Sequence, residues 1–174
     1  MRKLLLKNFV QGPLTERAPA ADEEALAELA ARVDRTSRKR LGRTLSIREV
    51  DAGSCNGCEL EIHALGNVLY DLERFGLRFV ASPRHADVLL VTGPVTNNMR
   101  EALERTYRAT PDPKWVVGVG DCARDGGVFG GSPACVGGVS RVLPVDLHIR
   151  GCPPSPTALL RGLLALLETV SEDA

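Results

Sequence analysis

The spacing of hydrophobic residues along the chain changes near Gly42. Before it, from Ala20 to about Arg40, AADEEALAELAARVDRTSRKR sets Leu26, Leu29, Ala30 and Val33 on one helical face. Acids fill the first turns and bases the last, the order that suits a helix dipole. The pattern predicts an amphipathic helix in an N-terminal extension, residues 1–42. Its apolar face, and the basic cluster Arg35, Arg38, Lys39, Arg40 and Arg43, are left to solvent, to a partner subunit or to an anionic membrane surface.

After Gly42 short apolar runs alternate with helical segments. TLSIREV (Thr44 to Val50), LRFVA (Leu77 to Ala81), DVLLVTG (Asp87 to Gly93), KWVVGVG (Lys114 to Gly120) and LPVDLHI (Leu143 to Ile149) read as strands. Cys58 to about Phe75, Asn97 to about Ala109 and Ser155 to Thr169 read as helices. The last of these is opened by PPSP and carries Leu159, Leu160, Leu163, Leu164 and Leu167 as its buried face. Strand and helix in alternation predict an α/β domain, residues 43–174, with a mainly parallel sheet covered on both faces. The nearly continuous apolar runs VLLV and VVGV fit strands buried on both sides.

Composition agrees with one ordinary domain: 174 residues, 44% hydrophobic, 22 basic against 22 acidic side chains. A formal net charge of zero gives no bulk attraction for nucleic acid, and none is expected as a partner. No apolar run approaches the roughly 20 residues that span a bilayer. MRKLLLKNFV is broken by Lys7 and Asn8 before it reaches the length of a secretory core, so a cytoplasmic location is expected. In that reducing compartment five cysteines point to metal or catalytic chemistry before disulfides.

Four of the five follow strand ends. Cys55 and Cys58 lie beyond the run ending at Val50, Cys122 beyond WVVGVG, and Cys152 beyond VDLHI. Ligand sites of open parallel sheets lie outside the carboxyl ends of the strands, so all three loops are expected at one edge. Each loop carries glycine, which lets backbone come close to a metal centre. A redox dithiol would use only Cys55 and Cys58. A zinc site more often shows two local pairs. A 4Fe-4S cluster takes four thiolates from scattered loops and fits the set best. Cys135, in GGVFGGSPACVGG, is expected to pack as a small apolar residue.

The segments SCNGCELE, LLVTGPVTNNM, VGVGDCARDGGVFGGS and LPVDLHIRGCPPSP, in that order between Arg43 and Leu167, resemble the small subunit of membrane-bound, energy-converting NiFe hydrogenases, the formate hydrogenlyase group. They are also similar to the cluster-bearing 20 kDa subunit of respiratory complex I. The resemblance implies a flavodoxin-like fold in which Cys55, Cys58, Cys122 and Cys152 ligate one 4Fe-4S cluster, the proximal one. It further implies a large subunit holding the NiFe centre, a ferredoxin-like iron–sulfur subunit, and integral membrane subunits that keep the chain on the cytoplasmic face of the inner membrane. Complex I relatives carry the first two ligands as adjacent cysteines, whereas Asn56 and Gly57 intervene here, which favours the hydrogenase side. The alternative is a complex I-type subunit whose cluster reduces quinone, and a third reading is a metal-stabilised interaction module without redox work.

Around these ligands, Glu61 stands three residues past Cys58, on the same face if a helix starts there, and is the expected acid for proton transfer beside the cluster. Glu59 is expected to point elsewhere, as a structural or interface residue. Gly93 to Thr96 should line the pocket edge, with Thr96 as N-cap of the next helix. His63, His85 and His148 show no metal spacing and are given no ligand role. Asp121 and Arg124 flank Cys122 and are expected at the solvent or partner surface.

Overall fold

The computed structural model describes residues 23–75 and 77–169. The expected helix start at Ala20 lies outside the described residues. Helix α1 (Glu23–Leu41) is followed by five parallel strands, β1 (Ser46–Asp51), β2 (Arg78–Phe79), β3 (Val88–Thr92), β4 (Trp115–Val119) and β5 (Leu147–Ile149). Their order in the sheet is β2-β1-β3-β4-β5. That 2-1-3-4-5 order is the flavodoxin-like one, and it places a topological switch point between β1 and β3.

Between the strands run α2 (Gly57–Ala64), α3 (Asn97–Ala109) and the short α4 (Asp121–Asp125), and α5 (Pro156–Thr169) closes the described chain. Central strand β3 is buried at every position. Its alternate side chains feed two cores: Val88 and Leu90 pack with α2, α5 and α1, while Leu89 and Val91 pack with Leu103 and Ala123 from α3 and α4. Helix α5 contributes Leu159, Leu160, Leu163, Leu164, Leu166 and Leu167, each worth about 1.5–3 kcal/mol when fully removed from water. The apolar face of α1 is taken by this chain's own α5: Ala30 and Val33 are buried, and Arg32 reaches Glu168 at 3.1 Å.

Two local expectations are corrected. The helix expected over Cys58 to Phe75 ends at Ala64 and gives way to a turn and a short 3-10 segment, Leu72–Phe75. The Asn67 side-chain carbonyl accepts the N–H groups of Leu69 (2.9 Å) and Tyr70 (3.0 Å), offering the backbone an alternative to another helical turn. Thr96 does precede α3, but its hydroxyl donates to the Ala52 carbonyl at 3.2 Å and makes no cap. It tethers the Cys55 loop instead.

At the amino ends of the strands, Asp87 is buried and its carboxylate accepts from Arg43 Nη2 (2.6 Å) and from the Ser46 N–H (2.9 Å). This pins the start of β1 to β3. The carboxyl ends, on the opposite side, are left to the cysteine loops.

Candidate functional site

The loop after β1 is folded by its own polar side chains. Asp51 Oδ1 accepts from the N–H groups of Gly53 and Ser54, both at 2.7 Å, and Ser54 Oγ accepts from the Asn56 N–H at 3.1 Å. Asn56 sits in the left-handed region at φ 70°, which an asparagine tolerates, and α2 starts directly after it. Cys55 is thereby turned outward on the loop, while Cys58 is carried on the first turn of the helix, half-buried.

The loops after β4 and β5 are tied to each other. The Gly120 N–H donates to the Ile149 carbonyl (2.8 Å), the Asp121 N–H to the Gly151 carbonyl (2.9 Å), and the Gly151 N–H returns to Asp121 Oδ1 (3.3 Å). These bonds fix Cys122, on α4, against Cys152. Asp121 is therefore a brace of the site and no plain surface residue, whereas Arg124 is exposed and paired with Asp125 at 2.7 Å.

Cys55, Cys58, Cys122 and Cys152 all line one cavity of ≈ 80 Å³, together with Gly57, Gly93 and Gly151. Its wall at Asp121, Cys122, Gly151 and Cys152 is shared with an open cleft of ≈ 590 Å³. Among the described residues no three His, Cys, Asp or Glu side chains form a group able to hold a single metal ion. Cys135 lines neither space. It lies in a two-stranded antiparallel ribbon, Cys135–Gly137 against Val95–Thr96.

Two glycines make room for the sulfurs. A Cβ on Gly120 would stand 2.7 Å from Cys58 Sγ, and one on Gly127 would stand 2.7 Å from Cys122 Sγ; both residues have positive φ. The donor set, four free thiols from three loops around one cavity with backbone drawn back to admit them, fits a 4Fe-4S cluster.

The charges of the site reinforce that fit. Burial pushes the Cys58 thiol up to about 12, and the neighbouring charges of Glu59, Cys55, Cys122 and Cys152 push in the same direction. Burial also raises the Cys122 thiol, with Cys152 and Cys55 adding to it, while the Val128 N–H, which bonds the sulfur, acts the other way. Four thiolates this close repel one another unless a cationic centre sits among them.

Glu61 is half-buried and lines neither space. Glu59, expected to point elsewhere as a structural or interface residue, is 6% exposed, and neither carboxylate oxygen has a hydrogen-bond partner among the described residues. A signal existed, since Glu59 is three residues before the fully buried Ile62 and so shares its face of α2. Nearby Glu49 is pushed above the usual carboxylate range by burial, lowered by His63 at 3.6 Å, and raised again by Glu59. Of the other histidines, His148 meets Ser140 Oγ at 3.0 Å and is held low by burial, and His85 ends a 3-10 turn.

Residues 55–166 match the family described as NADH ubiquinone oxidoreductase, 20 kDa subunit. A probable membrane-bound hydrogenase subunit of Pyrococcus furiosus is 48% identical over 134 residues, 77% of this chain and 80% of that one. Formate hydrogenlyase subunit 7 of Escherichia coli is 43% identical over 153 residues, 86% of this chain and 58% of that protein's length. Among solved structures, a chain of the membrane-bound sulfane sulfur reductase, an archaeal respiratory membrane complex, superposes with a TM-score of 0.67 at 35% identity, covering 78% of this chain and 73% of that one.

Proposed function

Because the chain belongs to the family of the 20 kDa subunit of NADH ubiquinone oxidoreductase, we propose that it is the electron-transferring small subunit of a membrane-bound hydrogenase complex. In this reading Cys55, Cys58, Cys122 and Cys152 hold one 4Fe-4S cluster, the proximal one. Electrons pass between the NiFe centre of a large subunit and the clusters of a ferredoxin-like subunit. The chain does not turn over hydrogen alone. The observation that carries the reading is the convergence of these four thiols on one cavity at the carboxyl edge of the sheet.

When bound, the cluster accepts and returns one electron at a time. This chain's residues provide the setting. Cys58 anchors the buried side, Cys55 and Cys152 the exposed rim, and the Asp121 to Gly151 bonds keep the Cys122 and Cys152 loops in register. The Val128 N–H points at the Cys122 sulfur, a bond that steadies a thiolate. Glu61, on the helix that carries Cys58, is assigned to proton uptake at the partner-facing side. Among the described residues no helix is long and apolar enough to cross a membrane. We place the chain on the cytoplasmic face, attached through integral membrane partners, with residues 1–42 as an extension whose helix braces α5.

Similarity to the sulfane sulfur reductase chain favours a second reading, an oxidoreductase complex with a different acceptor, quinone included. Purifying the complex anaerobically and assaying iron, acid-labile sulfide and nickel tests both. Iron and sulfide together with nickel fit the hydrogenase reading. Iron and sulfide without nickel fit the second, and a zinc-binding, colourless chain sinks both.

A further inference from the structure

The open cleft beside Cys122 and Cys152 holds two arginines with different commitments. Arg124 is bound to Asp125 through Nε (3.1 Å) and Nη2 (2.7 Å), so its charge is balanced on the spot. Asp121, on the same wall, is occupied with the Gly151 N–H. Arg150 lines the cleft two residues before Cys152, is exposed, and makes no hydrogen bond or ion pair among the described residues. Arg150 is thus the cation of the cleft without a carboxylate partner among the described residues, at the rim of the thiol ring.

We propose that the Arg150 guanidinium sets the reduction potential of the cluster upward. The inference rests on the cluster reading above. When one electron arrives from a reduced partner centre, that centre is oxidised by one electron and the thiolate-bound cluster becomes one unit more negative; no covalent bond forms or breaks in the transfer. A fixed cation in the adjoining cleft stabilises the more negative form more than the less negative one. An arginine does this at every physiological pH, because its guanidinium is not deprotonated in proteins. As a partner subunit covers the cleft and displaces water, the same charge acts through a lower dielectric and its effect grows.

The test is a redox titration of the purified complex, following the cluster's EPR signal in wild type, Arg150→Gln and Arg150→Lys at two pH values. At a fixed poise the reduced-to-oxidised ratio should fall about tenfold in Arg150→Gln, which is about 59 mV for a one-electron couple. Arg150→Lys should keep the wild-type midpoint, and the Gln shift should be the same at both pH values. An unmoved midpoint in Arg150→Gln with full iron content overturns the proposal. So does loss of the cluster in Arg150→Gln with retention in Arg150→Lys, which would make the residue structural. Persistence of the signal in Cys122→Ala would instead remove the ligand assignment on which the cluster reading rests.

Discussion

Gly120 and Cys58 come so close that a Cβ on the glycine would stand 2.7 Å from the cysteine sulfur, with the Gly151 carbonyl at 3.3 Å. Gly120 also has φ 86° and ψ 164°, a region open to glycine almost alone and costing other residues roughly 1–3 kcal/mol. The end of β4 is therefore shaped around the thiol of a helix that follows β1. Gly120→Ala should lower the thermal midpoint and displace Cys58, so that iron per chain falls well below wild type. Gly131→Ala, where an added Cβ meets nothing within 4 Å, is the control and should keep both. Full iron content in Gly120→Ala would mean that this contact does not shape the cluster site.

The cysteines themselves separate by position. Cys122→Ala should abolish cluster assembly, because that thiol stands between the cavity and the cleft; Cys135→Ala should leave iron and acid-labile sulfide at wild-type levels. Equal iron loss in both variants would overturn the ligand assignment.

The raised Cys58 thiol predicts a pH dependence in the metal-free chain. The folded state holds this proton more tightly than the unfolded one, whose thiol titrates near its ordinary value of 9.0, while the folded thiol titrates at about 12. Below the lower value both states are protonated. Between the two the unfolded chain binds fewer protons, so stability falls as pH rises through the window. The slope is shallow, since Cys58 is only half-buried and solvent screens part of the effect. Urea midpoints at about pH 8 and about pH 11 should differ more in wild type than in Cys58→Ala. Identical differences would show that Cys58 does not carry the effect.

Asp87 tests stability apart from the site. Removing its buried carboxylate in Asp87→Ala leaves the Ser46 N–H without its partner and should cost about 1–3 kcal/mol. Arg43 is more than half exposed, so Arg43→Ala should cost about 1 kcal/mol or less. Denaturant unfolding reads both, and chains that fold should retain wild-type iron.

Much of this molecule is legible in local pattern. The apolar runs that became β3 and β4 mark a sheet buried on both faces, because only such strands lack a polar side. The four cysteines each follow a strand end, and parallel strands bring their carboxyl ends to one edge, so their meeting could be expected from order alone. Other features depend on partners distant in sequence. Leu29, Ala30 and Val33 announce an apolar face on α1, but that α5 covers it is decided by packing more than a hundred residues away in the chain. The end of α2 at Ala64 follows from an asparagine side chain competing for backbone N–H groups, a balance that helical periodicity does not register. The burial of Glu59 and the isolation of Arg150 belong to the same class. Whether a charge is paired depends on what the fold sets opposite it, and residue type by itself carries no such information. The sequence by itself thus determined the sheet, the edge and the thiols. The tertiary structure decided which charges stand unpaired beside them, because pairing is a contact between segments that only folding brings together.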